Sequence, residues 1–206
     1  GVASARDGYV SRFHNQLQLR DGAEYGLRNF GVSGESSGTL IRLGQLDAAI
    51  DFMEDNDVSY VSIDIGANDL LGHIYSPECS ESFSDPACQE RLSIVTAAYT
   101  SNIGDILERI EDAAPDATII FLTSYNPFSF GLPNSEFEAV TNAAVDALND
   151  VAAAAAEERG MVVADGFGAL AGTTAGTTHM TDPDPDIHPK AIGYDLLAAA
   201  LLAALR

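Results

Sequence analysis

The sequence predicts an α/β fold built on a parallel sheet that is covered by helices on both faces. Apolar, β-branched runs alternate with amphipathic helical segments along the chain, which is the pattern of such a sheet. The run 117–125 is apolar almost throughout, as expected for a strand buried on both faces. No repeat or linker interrupts the alternation, and 206 residues can bury one large core. We therefore expect a single three-layer α/β domain over residues 1–206.

Strands are predicted where short apolar runs are rich in β-branched residues, of which VSYVSIDIG at 58–66 is an example. The predicted strands are 24–30, 58–66, 117–125 and 161–167. A helix predicted at 7–20 precedes the first of them, whereas a helix in this pattern normally follows a strand. The sequence therefore predicts a further strand, the first of the sheet, upstream of Gly1.

Helices are predicted from apolar residues at spacings of three and four, and from their terminal residues. Pro115 ends the helix at 90–114, Gly160 closes the one at 135–160, and Pro189 suits the first turn of the last. The predicted helices are 7–20, 37–56, 90–114, 135–160 and 189–205.

The chain is strongly acidic, with 31 Asp and Glu against 10 Lys and Arg and a formal net charge of -21. Such a surface repels phosphate backbones, so nucleic-acid binding is excluded as a function, and anionic membranes and substrates are disfavoured. The acidic surface is either simply solvated or an adaptation to high salt, where screening weakens self-repulsion. No apolar run of about 18 residues occurs, so no membrane span is expected.

Cys79 and Cys88 lie nine positions apart in a polar loop. A disulfide that closes this loop is favoured over two free thiols, and it predicts secretion into an oxidising compartment. The sequence begins with glycine and contains no signal peptide, so we expect that something has been removed ahead of Gly1.

The chemistry is expected where the predicted strands end, because ligands of parallel sheets bind beyond the carboxyl ends of strands. Gly31 and Gly34 follow the first of these strands, Asn68 the second, and His188 the loop after the fourth. Backbone N–H groups and an amide that face a base suit acyl transfer, in which an oxyanion develops and a proton moves. Each residue alone also fits a structural role, in a turn, in a helix cap or packed against Asp186.

Three segments together resemble the SGNH (GDSL-type) hydrolase family, in the order that the family has. NFGVSGESSGT at 29–39 is similar to its second block, IGANDL at 65–70 to its GxND block, and DIHPKAIGY at 186–194 to its final block. YNPF at 125–128 is similar to secreted esterase and lipase members. The resemblance implies a flavodoxin-like three-layer fold and ester hydrolysis through a serine acyl-enzyme. It assigns oxyanion donors to Gly34 and Asn68, and the catalytic base to His188.

The sequence departs from the family in its nucleophile. The family carries a serine in a GDS block after its first strand, and no GDS occurs in these 206 residues. The segment GVASARDGYVSRFHNQL at the start resembles the family's sequence just downstream of that block. We therefore expect the serine upstream of Gly1, in a cleaved segment that stays bound as a partner or in one that is not part of this sequence. A non-catalytic binding protein on the same scaffold is the alternative.

A second departure concerns the acid that orients His188. The family often has aspartate three positions before the histidine, where this chain has Pro185. Asp186 is favoured, acting by its side chain or by its main-chain carbonyl, and Asp184 is the alternative.

The substrate is expected to be a small-molecule or lipid ester, with loops 70–90 and 125–135 deciding specificity. Phe128, Phe130 and Leu132 would line an apolar acyl site, although core packing explains them equally well. A carbohydrate acetyl ester is an alternative substrate, because members of a fold share a site without sharing a substrate. The mechanism requires no metal or organic cofactor.

Overall fold

The structure is a computed structural model that describes residues 8–74, 76–79, 82–83 and 85–206. It has a mixed α/β fold with a parallel sheet, as the sequence predicted. The described chain divides into two compact units. The first unit contains residues 8–29, 125–143 and 164–206, and the second contains 30–124 and 144–163.

The elements of the described residues follow one another in a mixed order of helices and strands. The helices are α1 (Tyr9–Asp21), α2 (Ser37–Arg42), α3 (Gln45–Asp55), α4 (Ala67–Ile74), α5 (Pro86–Ala113), α6 (Glu136–Glu158), α7 (Gly166–Leu170), α8 (Thr174–Thr177) and α9 (Ala191–Ala204), with a 3-10 turn at Pro77–Cys79. The strands are β1 (Tyr60–Ile63), β2 (Thr118–Leu122), β3 (Val162–Ala164), β4 (Thr178–His179) and β5 (Asp186–Pro189).

The three-stranded sheet has the strand order β1-β2-β3 among the described residues. β1 and β2 pair in parallel, with Val61 opposite Ile119 and Ile63 opposite Phe121. The central strand β2 is buried over its last four residues, as its apolar sequence predicted. Parallel pairing matters for function because it places the carboxyl ends of β1 and β2 at the same edge.

The long helix α5 organises the packing of the second unit, where α2, α3 and α4 contact it. Asp85 caps its N-terminus by accepting a hydrogen bond from Ala87 N at 2.8 Å, and Pro86 occupies its first turn. Its buried stripe repeats at the three- and four-residue spacing that the sequence showed, and includes Val95, Tyr99, Ile103, Ile106 and Ile110.

In the first unit α1 and α7 pack against the apolar helix α9, and β4 pairs with β5 in an antiparallel hairpin. The hairpin was not predicted, because its strands contain few apolar residues. Gly193 in α9 lies so close to this region that a Cβ atom there would be 2.3 Å from the carbonyl oxygen of Thr177. A glycine at this position therefore permits the close contact between α9 and the end of α8.

Pro189, expected in the first turn of the last helix, instead ends β5, and α9 begins at Ala191. Three further sequence predictions about elements were wrong. The helix predicted at 37–56 is two helices, because Gly44 adopts a left-handed conformation with φ 82° between α2 and α3. Residues 70–74, at the start of the predicted loop 70–90, belong to helix α4, which buries Leu70 and Ile74 one turn apart.

The third error is the strand predicted at 24–30, which is irregular in the structure. Side chains of α1 form hydrogen bonds with the backbone N–H and carbonyl oxygen of Tyr25. In a sheet, these two groups would pair with a neighbouring strand. Gln18 Oε1 accepts from its N–H at 3.1 Å, and His14 Nε2 lies 2.8 Å from its carbonyl oxygen. Local side-chain bonds have replaced sheet pairing here.

No helix of the described residues is both long enough and apolar enough to cross a membrane.

Candidate active site

The predicted base lies on β5, two residues after the favoured acid. Residues i and i+2 of an extended strand face the same side, so the strand itself brings Asp186 and His188 together. Asp186 Oδ1 accepts a hydrogen bond from His188 Nδ1 and also one from the backbone N–H of His188, at 2.9 Å. Both side chains are about two-fifths exposed, at 39% for Asp186 and 40% for His188. The pair is therefore ordered and also accessible to a substrate.

The hydrogen bonds fix the protonation pattern of this pair. The backbone N–H of His188 and then its imidazole lower the pKa of Asp186 below its ordinary value. The carboxyl group is consequently ionised near neutral pH and can only accept hydrogen bonds. Since an ionised carboxylate only accepts, Nδ1 of His188 donates this bond, and whenever the imidazole is neutral its lone pair lies on Nε2. A histidine in this tautomer can accept a proton at Nε2, as a general base does.

Contacts on both sides of His188 hold the hairpin in place. Lys190 N donates to Thr177 O at 2.8 Å. The carboxylate of Asp182 binds Lys190 Nζ at 2.8 Å and His179 Nδ1 at 2.6 Å. These two partners, Lys190 first, lower the pKa of Asp182. The segment that leads into β5 is thus restrained by one side chain of β4, His179, and by Lys190, which directly follows β5.

The two candidate acids are placed differently. Asp184 is exposed and precedes β5, whereas the Asp186 side chain contacts the imidazole directly. An aspartate two positions before the histidine, as Asp186 is, can contact the imidazole because an extended strand puts alternate residues on one side.

In the second unit, Asn68 lies in the first turn of α4, just after β1. Its side-chain amide donates to Glu35 O at 2.9 Å. A primary amide has two N–H groups, so this bond orients Asn68 while the second N–H can still donate to a ligand oxygen. Since Glu35 directly follows Gly34, the same bond fixes Asn68 relative to the glycine-rich loop.

Gly34 adopts a left-handed conformation with φ 83°, which explains a glycine at this position. In the part of the chain that the structure describes, its N–H has no hydrogen-bond acceptor. The loop ends at Ser36, which caps α2 by accepting from Thr39 N at 3.3 Å. Gly34 can therefore supply a free donor from a loop whose end is anchored.

A partly buried cluster, with Ser37 fully buried at its centre, joins the start of α2 to the start of α4. Ser37 donates to the carboxylate of Asp69 twice, from its N–H at 2.8 Å and from its hydroxyl at 2.5 Å. Asn102 of α5 donates to the Ser37 hydroxyl oxygen at 3.0 Å. Hydrogen bonds to a charged acceptor are stronger than neutral ones, so this cluster holds the loop of Gly34 to the turn of Asn68.

The turn before Asn68 packs against the ring of Tyr99. Gly66 has φ 127°, and a Cβ atom there would lie 2.8–2.9 Å from the ring and hydroxyl of Tyr99. The Tyr99 hydroxyl donates to Ile65 O at 2.9 Å. Burial raises the pKa of Tyr99, so the hydroxyl keeps the proton that this bond requires. The glycine of the GxND block is thus needed for both its backbone angle and its lack of a side chain.

The three expected acyl-site residues are not equivalent. Phe128 is buried and packs edge-to-face against Phe137, with ring centroids 5.3 Å apart. Phe130 is half-buried, and Leu132 is 57% exposed. Phe128 therefore has the packing role that the sequence left open, while Phe130 and Leu132 keep surface for a ligand.

The loop of Phe130 and Leu132 is anchored by Glu138, at the beginning of α6. Its carboxylate accepts from Gly131 N at 2.8 Å and from Leu132 N at 3.0 Å. The N–H groups of Leu132 first, and then Gly131, lower the pKa of Glu138. An ionised carboxylate thus fixes the conformation of this loop, as charge-assisted bonds to backbone N–H groups do.

Cys79 and Cys88 form the expected disulfide. It joins the 3-10 turn at Pro77–Cys79 to the first turn of α5, and both residues are buried. Within the described residues, no group of three or more His, Cys, Asp or Glu side chains is placed to hold a metal ion.

Sequence analysis missed the residues that support the expected oxyanion donors. Asp69 directly follows Asn68, but nothing local indicates that it binds Ser37, 32 positions earlier. Tyr99 belongs to the apolar stripe of α5, yet its hydroxyl donates to Ile65 O in the turn before Asn68. A polar hydroxyl on an otherwise apolar buried stripe was the one available signal.

Comparison with protein families matches residues 1–196 to the GDSL-like lipase/acylhydrolase family. A search of curated protein sequences found no match. Among solved structures, an α/β hydrolase enzyme from the metagenome of Lake Arreo, Spain, is 25% identical with a TM-score of 0.69, and the alignment covers 99% of this chain and 84% of that one.

Two further structures share the fold at lower identity. An extracellular lipase from Streptomyces rimosus is 23% identical, with a TM-score of 0.67 and coverage of 97% of this chain and 87% of that chain. An acetylxylan esterase from Geobacillus stearothermophilus is 20% identical, with a TM-score of 0.67 and coverage of 96% and 80%. With a family match that spans nearly its whole length, the chain belongs to the GDSL-like lipase/acylhydrolase family.

Proposed function

We propose that this protein is a serine-type ester hydrolase that cleaves acyl esters through an acyl-enzyme. Membership of a lipase and acylhydrolase family supports the hydrolysis of ester bonds. The observation that carries the proposal for this chain is the Asp186–His188 pair, in which an ionised carboxylate leaves Nε2 of the imidazole as a base. This is the arrangement that serine hydrolases need on the proton-transfer side of the reaction.

The nucleophile is a serine of a GDS block, which these 206 residues do not contain. Two serines of the glycine-rich loop have structural roles instead. Ser36 caps α2, and Ser37 is fully buried against Asp69. These contacts give both serines structural roles, which supports a nucleophile outside residues 1–206.

The reaction then has two steps. His188 takes the serine proton while the serine oxygen bonds to the ester carbonyl carbon, and the carbonyl oxygen becomes an oxyanion. The Gly34 N–H and the Asn68 amide donate to that oxyanion, and each donor is worth about 3–4 kcal/mol in comparable sites. His188 gives its proton to the leaving alcohol, which completes the acyl-enzyme. In the second step it activates the water that releases the acid.

The substrate is an acyl or lipid ester with a neutral, apolar acyl group. Phe130 and Leu132 support this, because they keep accessible apolar surface on an anchored loop. The net charge of -21 disfavours phosphate esters. The disulfide supports secretion, because such bonds persist in oxidising compartments. An acetylated carbohydrate is the second candidate substrate, and a panel of esters separates the two.

The experiment is a reaction of the intact protein, as purified from its source, with a serine-directed phosphonate, followed by peptide mass analysis. We expect one adduct, on a serine outside residues 1–206, and turnover of p-nitrophenyl esters. His188→Ala should abolish both the adduct and the turnover, because the serine then has no base. An adduct on Ser33, Ser36 or Ser37 would overturn the upstream nucleophile. Absence of both adduct and turnover would instead establish a non-catalytic binding protein.

A further inference from the structure

We propose that Tyr125 is a positioning residue for the catalytic histidine, acting through the peptide group that joins Ile187 to His188. The Tyr125 hydroxyl donates to the carbonyl oxygen of Ile187 at 2.9 Å. Ile187 separates the acid from the base on β5. The inference rests on the proposed function, because it concerns how the proposed base is held.

The bond acts on one rigid group with two ends. The carbonyl of Ile187 and the N–H of His188 belong to the same planar peptide unit. Tyr125 holds the oxygen end of this plane, and Asp186 Oδ1 holds its N–H end at 2.9 Å. A peptide plane that is bonded at both ends cannot rotate without breaking one of the two bonds. The backbone entering His188 is therefore fixed.

The backbone leaving His188 is restrained as well. Pro189 follows directly, and the residue before a proline is confined to extended conformations. Lys190 N, one residue later, donates to Thr177 O at 2.8 Å. With both of its peptide groups restrained, His188 can reach Asp186 through few side-chain arrangements. Tyr125 adds to these restraints a side chain from outside the hairpin.

Tyr125 can do this because the turn after it is itself fixed. Asn126 is 1% exposed and donates to Thr141 Oγ1 at 3.0 Å and to Asn142 Oδ1 at 2.7 Å. Its own amide oxygen accepts from Phe128 N at 3.0 Å. The Tyr-Asn-Pro-Phe segment is thus tied to α6 by a satisfied buried network, and such networks hold their members in one arrangement.

The bond also has an electronic effect on the acid–base pair. Hydrogen bonds in a chain polarise one another, so donation to the Ile187 carbonyl strengthens the His188 N–H as a donor. That N–H donates to the same Oδ1 atom that accepts the hydrogen bond from His188 Nδ1, so the two donors share one carboxylate oxygen.

The test is Tyr125→Phe, which removes only the hydroxyl, with Tyr25→Phe as the matched control. Tyr25 also donates its hydroxyl to an oxygen, Asp21 Oδ2 at 2.9 Å, in the same unit. We expect Tyr125→Phe to lower kcat about tenfold with KM within about twofold, less than the about hundredfold loss that a misplacement of 1 Å can cause. Tyr25→Phe should leave both constants unchanged.

A second readout is independent of turnover. With ¹⁵N-labelled histidine, the Nδ1–H resonance of His188 is assigned by its loss in His188→Ala. In Tyr125→Phe we expect this proton to move upfield and to exchange faster with water. A fluorotyrosine at position 125, which keeps both the ring and the hydroxyl donor, should leave kcat and the resonance close to those of the unmodified protein.

The outcomes separate this inference from the proposed function. A changed resonance in an intact protein that includes the upstream segment and turns over no ester supports positioning by Tyr125 and removes the hydrolase proposal. Normal turnover with unchanged kcat and an unchanged resonance in Tyr125→Phe overturns the positioning role and leaves the hydrolase intact. A fall in thermal stability with no change in kcat or resonance means that the bond only satisfies a carbonyl, and it also overturns the role.

Discussion

The proposed base and the proposed oxyanion donors are supported in opposite ways. Asp186, the proposed acid, lies two residues before His188 on the same strand, so the main partner of His188 is local in sequence. Asn68 depends on contacts from distant parts of the chain, such as Asp69 with Ser37, 32 positions apart, and Tyr99 with Ile65, 34 positions apart. The proposed acid–base pair is thus positioned by strand geometry, whereas the region of the proposed donors is positioned by tertiary packing.

The difference also appears in burial and charge. The Asp186–His188 pair is two-fifths exposed, so water screens it and only geometry makes it specific. Ser37 and Tyr99 are almost completely buried, where a hydrogen bond is stronger and a lost partner more costly. We therefore expect changes near His188 to affect reaction rate with little effect on folding. Changes near Asn68 and Gly66 should affect both.

The largest expected effect on kcat concerns the Asp186–His188 pair. Asp186→Asn removes the charge that holds Nδ1 protonated, so the imidazole can adopt the wrong tautomer. We expect kcat to fall about 10²- to 10⁴-fold, towards the upper figure known for a triad acid. Asp184→Asn, at an exposed carboxylate of the same hairpin, is the matched control and should change kcat less than about twofold.

The pH dependence follows from the same carboxylate. The folded-state pKa of Asp186 is lowered, so its stabilising contribution is present above the ordinary value of about 3.9. That contribution is lost only as pH falls through the lowered value. The acid limb of the kcat profile should therefore not coincide with the ionisation of Asp186. If neither aspartate variant slows turnover, a main-chain carbonyl orients His188; if only Asp184→Asn does, Asp184 is the acid.

The next largest effect on kcat concerns the proposed oxyanion donor Asn68. Asn68→Ala removes the proposed side-chain donor, and we expect kcat to fall about 10²- to 10³-fold with a small change in KM. Asn56→Ala is the control, because the Asn56 amide is also exposed and donates to a carbonyl, Phe52 O at 2.8 Å. A loss of turnover that appeared only as a raised KM would mean that Asn68 binds the substrate and does not stabilise the oxyanion.

The same contrast explains how much of each region could be predicted from the sequence. Asp186, His188 and the β-branched strand before Asn68 could be found because their signals are local: a two-residue spacing, a following proline and a buried apolar run. The Asp69–Ser37 cluster could not, since a carboxylate that bonds a distant serine has no signature along the chain. The segment 24–30 failed for a related reason. Its composition suits a strand, but side chains of α1 hold the backbone of Tyr25.

The smallest expected effect is on stability and tests whether packing builds the donor turn. Gly66→Ala must place a Cβ atom 2.8–2.9 Å from Tyr99 and hold alanine at φ 127°. We expect the free energy of unfolding in urea to fall by about 2–4 kcal/mol, from backbone strain and overpacking together. Gly72→Ala is the control, because no atom lies within 4 Å of its added Cβ and the residue is helical.

Gly72→Ala should raise the free energy of unfolding by about 0.5–1 kcal/mol, since alanine is the better helix former. The pair of variants separates two explanations of the glycine in the GxND block. If Gly66→Ala were as well tolerated as Gly72→Ala, the contact with Tyr99 would not hold the turn, and the position of Asn68 would have to depend on Asp69 and Glu35 alone. If Gly66→Ala lowers both stability and kcat while Asp186→Asn lowers kcat with a much smaller loss of stability, the donor turn is coupled to folding more strongly than the proposed acid–base pair is.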